Sequence, residues 1–209
     1  MKKLVNLRLL ALVAAMALAL FSVACGDDDE DEGGGSAGTT TQEETMAESQ
    51  PLELNGDMTT LVLDAGTAKV LTDNKVRVAP VDPAAPGGDG IGFPITGGTV
   101  DSESLAGTID HSGGLRFSAG GTNLEVTDFV VDTEAGTLTA TAGGADIPLL
   151  TLDLSGLERS MDGQAIVASG ITAALTADAA KALNDTFKVK LFEEGLAIGD
   201  VTVTATAAS

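Results

Sequence analysis

Residues Leu115–Ala140 read LRFSAGGTNLEVTDFVVDTEAGTLTA, and the fold is decided there. Leu115 and Phe117 alternate with Arg116 and Ser118, Ala119-Gly120-Gly121-Thr122 supplies a turn, and Leu124 and Val126 return. Period-two alternation interrupted by glycine-rich turns is the pattern of antiparallel strands joined by hairpins. Phe129 and Val131 fall on the opposite parity, which predicts a bulge near Thr127-Asp128. After the turn Asp132-Thr133-Glu134-Ala135-Gly136 come Leu138, Ala140 and Ala142, and later Leu150, Leu152 and Leu154, each alternating with Thr or Asp. Half-buried strands explain that alternation, so the expected class is all-β: an antiparallel β-sandwich of immunoglobulin-like character with one or two short helices.

Two segments break the β pattern. Leu63-Asp64-Ala65-Gly66-Thr67-Ala68-Lys69-Val70-Leu71 and Leu175-Thr176-Ala177-Asp178-Ala179-Ala180-Lys181-Ala182-Leu183 share Leu, Ala, Ala-Lys and Leu at identical spacing. Asp64 and Thr176 are N-cap types, and Ala68/Leu71 and Ala180/Leu183 sit three apart, so each predicts a short helix with one apolar face. They are expected to plug the ends of the sandwich. Between them Asp82–Gly98 reads DPAAPGGDGIGFPITGG, and its prolines and glycines predict a long loop acting as a flap, docked through Phe93.

Outward from this domain, the N-terminus gives an address. Lys2, Lys3 and Arg8 precede the apolar run Leu9–Phe21, and Ser22-Val23-Ala24-Cys25 closes it. That layout predicts a signal peptide over residues 1–24. Cys25 resembles the lipidated cysteine of a bacterial lipobox, although Ser22 stands where such signals usually carry Leu or Val; a retained membrane anchor is the alternative. Either way the remainder lies outside the cytoplasm, attached to the bacterial membrane or cell surface. Residues 26–50 carry nine acidic side chains and no basic one, which predicts a disordered tether. Asp27, Asp29 and Asp31 alternate as calcium-loop ligands do, but Glu32 and Gly38 occupy the positions where that loop needs Gly and Glu. Residues 51–209 then form a single domain.

Composition excludes several classes. A formal net charge of −20 argues against nucleic acid or anionic lipid as a partner of the domain. One His, one Cys, and no Tyr or Trp leave too few ligands for a zinc site, and any Ser-His-Asp triad would have to use His111 without a GxSxG elbow. The inventory therefore points away from an enzyme and gives no catalytic or metal residue. His111 shares parity with Leu105 and Ile109, which places it on the inner face at a strand end, where a backbone carbonyl can satisfy it without any function.

The pieces GTIDHSGGL (Gly107–Leu115), the hairpin run above, LLTLDLSG (Leu149–Gly156) and LTADAAKALNDTFKVKLFEEGLAIGDVTVT (Leu175–Thr204) together resemble the HtaA domain, over roughly residues 97–204. That resemblance implies a secreted or surface-attached bacterial domain, of which several members bind haem. It implies a Tyr as axial ligand supported by a His of the His-x-Gly-Gly-Leu turn, here His111. This chain has no tyrosine, so haem would need His111 itself or a Met, with Met58 and Met161 as the candidates. The leading expectation is a lipid-anchored, non-enzymatic surface binding or structural module, its partners being the membrane through lipidated Cys25 and either haem or a surface protein. The alternative is a haem-binding protein of haem or iron uptake, using His111 with Phe93, Phe117 and Phe129 as pocket walls.

Overall fold

The alternating runs close on themselves. A computed structural model describes residues 50–208, so the signal segment, Cys25 and nearly all of the acidic tether lie outside the described residues. The strands are β1 (Pro51–Leu63), β2 (Arg77–Val81), β3 (Ala85–Gly87), β4 (Gly90–Asp101), β5 (Gly107–His111), β6 (Gly114–Ala119) and β7 (Thr122–Asp132), then β8 (Thr137–Ala142), β9 (Ala145–Asp153), β10 (Glu158–Asp162), β11 (Ala165–Leu175) and β12 (Ala197–Ala207). Helix α1 (Ala65–Asp73) follows β1, and α2 (Ala177–Phe187) follows β11. Antiparallel neighbours run β7-β5-β4-β1-β12-β11-β9-β8, and β8 pairs back onto β7. The result is a closed barrel of eight strands. Outside the ring, β6 prolongs β5 along the same edge of β7 and carries β2, while β3 pairs with β4 and β10 with β11.

The domain is therefore all-β with two short helices, and the immunoglobulin-like sandwich is corrected to a barrel. Both architectures turn every second side chain inward, so alternation cannot separate them. The difference lies in one seam, where Val130 faces Thr139 and Val131 faces Leu138. The bulge read in β7 is present there: the register shifts between Thr127 and Val130, and Asp128 adopts φ 54°.

The Asp82–Gly98 segment is the second correction. Only its first part turns; from Gly90 onward it is a stave of the barrel, paired with β1 on one side and β5 on the other. Its glycines permit close approach instead of mobility. A Cβ on Gly90 would lie 2.2 Å from the carbonyl oxygen of Leu61 on β1. Pro94 sits beside the register break between Ile95 and Gly97, a position where a missing N–H is tolerated.

Both helices form where the caps place them. Asp64 Oδ1 accepts from Thr67 N at 2.9 Å, and Thr176 Oγ1 accepts from Ala179 N at 3.1 Å. Leu71, Ala180 and Leu183 are buried and Ala68 is half-buried. The helices share one mouth of the barrel, because β1 ends and β12 begins there: Asp64 N donates to Ile198 O at 2.8 Å, and Leu175 N donates to Leu196 O at 2.9 Å. The expectation that they plug opposite ends is thus revised.

Candidate functional site

The end of β5 delivers His111 into the barrel. Leu105, Ile109 and His111 are all buried, with His111 at 7 % exposure, so the inward parity read from the sequence is the observed one. Ser112-Gly113 then breaks the strand before β6. Gly113 has φ +85°, and a Cβ there would lie 2.4 Å from Ala84 N, so only glycine allows the turn to pack against the β2–β3 connection.

Both ring nitrogens of His111 are engaged. Nδ1 lies 3.2 Å from Phe129 O on β7, and Nε2 lies 2.7 Å from Thr59 Oγ1 on β1. A carbonyl oxygen only accepts, so Nδ1 carries the proton, Nε2 is an acceptor, and the Thr59 hydroxyl donates to it. Burial lowers the His111 pKa from its ordinary 6.5, opposed in part by the bond to Phe129 and by the charge of Asp110. The imidazole is a neutral hydrogen-bonded element of the wall. Thr59 carried no sequence signal: a threonine in a strand is commonplace, and only the β1–β4–β5 pairing brings it to a residue 52 positions away.

His111 and Thr59 face a chamber of about 310 Å³ inside the barrel, at the helix-bearing mouth. Phe93, Phe117 and Phe129 line it together with His111, and Phe93 and Phe129 meet edge to face with ring centroids 5.1 Å apart. The rest of the wall is almost entirely Leu, Ile and Val, with Leu71 of α1 and Leu183 of α2 closing the mouth side. Among the described residues that line the chamber, Asp89, exposed in the β3–β4 turn, is the only charged one. The sulfur donors do not converge on this place. Met58 and Met161 are 40 % and 59 % exposed, and neither lines the chamber. A smaller space of about 80 Å³, near Leu54, Leu105 and Ala205, occupies the other end.

Among the described residues no group of three or more His, Cys, Asp or Glu could hold a metal ion, and no helix is long and apolar enough to cross a membrane. The Thr59–His111 pair has the hydroxyl-to-imidazole bond of a nucleophile and base. Its third partner, however, is a neutral carbonyl where activated nucleophiles have an acidic orienter.

No curated protein matches this sequence. Among solved structures, the C-terminal domain of HtaA from Corynebacterium glutamicum superposes with a TM-score of 0.57 at 15 % identity, covering 75 % of this chain and 99 % of that domain. The N-terminal domain of the same protein gives 0.51 at 18 % identity, covering 74 % and 99 %. The haem-binding protein HtaB from that organism gives 0.42 at 10 % identity, covering 77 % and 97 %, too distant to bear on this chain. The likeness to the two HtaA domains supports the fold. The HtaA family model, described as Htaa, matches residues 73–191, beginning earlier and ending earlier than the segment singled out from the sequence. That match spans more than half of the 209 residues, and the chain belongs to the HtaA family.

Proposed function

We propose that this chain is an extracytoplasmic, non-enzymatic binding module, held at the membrane by lipidated Cys25, whose binding site is the barrel interior. The observation that carries this reading is the apolar chamber of about 310 Å³ with the chain's only histidine on its wall. Close-packed structural cores leave few voids of this size, which favours a binding interior. The other hydroxyls on the wall already serve the backbone: Thr67 Oγ1 donates to Ala197 O and Thr133 Oγ1 to Leu105 O. They offer no donor pair to stabilise an oxyanion, which supports binding over catalysis.

Haem is the ligand implied by the family resemblance, and the interior as it stands does not fit it. His111 Nε2 is taken by Thr59, a threonine hydroxyl is not among the usual haem ligands, and both candidate methionines face outward. A volume of about 310 Å³ also lies at the small end of ligand pockets, roughly 300–1,000 Å³.

The test titrates the purified full chain with naphthalene and, separately, with haemin, beside Val201→Phe, which places a larger side chain on the chamber wall. Saturable one-to-one naphthalene binding that is lost in Val201→Phe is expected, with no haemin binding. His111-dependent haemin binding would favour the alternative of a haem carrier in which the Thr59–His111 bond opens. Binding of neither would leave a structural module or one that meets another surface protein. Lipid attachment has its own check: metabolic labelling with a palmitate analogue should mark the wild type and not Cys25→Ser.

A further inference from the structure

The polar spot of the chamber has a direction. Because Nδ1–H of His111 points at Phe129 O, the one Thr59 hydroxyl proton goes to Nε2, and Thr59 Oγ1 retains lone pairs without a second proton to give. Thr67 and Thr133 also donate to backbone carbonyls, at 2.5 and 2.6 Å. Each of these hydroxyls has thus already given its proton to the protein, and toward a ligand it can only accept. Among the described residues no Lys or Arg lines the space, and the acidic Asp89 stands at its rim, so no lining group there compensates a carboxylate.

Volume sets the size. A dry cavity of about 150 Å³ lined by Leu, Ile and Phe takes one benzene ring, so twice that volume takes two fused rings, or about a dozen heavy atoms. We infer that the ligand is a neutral apolar molecule of two-ring size carrying one hydroxyl or N–H, which donates to Thr59 Oγ1 while its rings pack against Phe93, Phe117 and Phe129. This rests on the interior being the binding site. The lining disfavours anionic amphiphiles, and the volume disfavours tetrapyrroles.

Three probes of matched shape test it on the full chain: 2-naphthol, which donates a proton; 2-methoxynaphthalene, which cannot; and 2-naphthoate, which is anionic. In the wild type 2-naphthol should bind about fivefold more tightly than the methyl ether, the ratio for a net hydrogen bond of about 1 kcal/mol. Naphthoate should bind more weakly than either. Thr59→Val should bring 2-naphthol and the ether within twofold of one another. Should that variant fail to fold, the wild-type ratio alone decides. Equal wild-type affinities for 2-naphthol and the ether, or tighter binding of naphthoate, overturn the donor assignment while leaving the interior site standing. No binding of any probe overturns both.

Discussion

Acidification provides a direct probe of the neutral imidazole at the chamber wall. Burial holds the His111 pKa below 6.5 in the folded protein, whereas the unfolded chain takes up its proton near that value. Below pH 6.5 the unfolded state therefore binds more protons, and stability falls with pH until the folded-state pKa is reached. Wild type should therefore lose more stability than a His111→Asn variant between pH 7.5 and 5.5, by no more than about 1.4 kcal/mol, the linkage ceiling for one proton over one pH unit below 6.5. The measurement is urea unfolding at both pH values for wild type and His111→Asn, the variant subtracting the titration of all other groups. Asp153 and Asp185 do not blur the comparison. Their carboxyls are held below the ordinary 3.8, by the backbone N–H of Ser155 and by Lys181 respectively, so the stability they lend is lost only at pH values below that range. If wild type and His111→Asn lose equal stability, His111 is not a buried neutral base, and the donor–acceptor direction assigned to Thr59 fails with it.

Three substitutions probe the frame around the chamber. Gly113→Ala places a Cβ 2.4 Å from Ala84 N at a left-handed backbone angle and should destabilise by about 2–3 kcal/mol, read as a lowered urea midpoint with an unchanged slope. Thr176→Ala removes the hydroxyl that caps α2 and also donates to Pro148 O at 2.6 Å; a loss of about 1–2 kcal/mol is expected, and amide exchange should accelerate first at Asp178 and Ala179. Leu183→Ala, at 3 % exposure on the chamber wall, should cost about 3 kcal/mol in the same unfolding assay; a loss below about 1 kcal/mol would mean that α2 collapses into the space or does not seal it.

Much of this architecture is legible one residue at a time. Leu115, Phe117, Phe129 and Val131 reveal strand faces because period two is a local property, and Asp64 and Thr176 reveal helix starts because a cap acts within three residues. The same parity puts His111 on the inner face. What the sequence conceals is pairing. Whether β8 turns back to β7 depends on cumulative twist and tilt around eight strands, which no window of residues contains. Gly90 and Gly92 read as loop residues because a glycine required by a neighbour's close approach and one required by a turn look alike in one dimension. Thr59 has no local mark for a related reason: its meaning depends wholly on a partner on another stave.

The ring order has a further consequence for how the chain comes to be folded. β12, Ala197–Ala207, is inserted between β1 and β11, and Asp57 bonds Thr206 across 149 residues. Last of the eight ring strands along the chain, β12 is thus a keystone: until it is in place, β1 and β11 present unsatisfied backbone edges and the chamber stands open along its length. Such closure pays its loop entropy late, which makes the domain a slow folder, and its half-made form is a sheet with two sticky margins. Deletion of β12, Ala197–Ala207, should therefore yield an aggregating chain instead of a slightly reduced barrel.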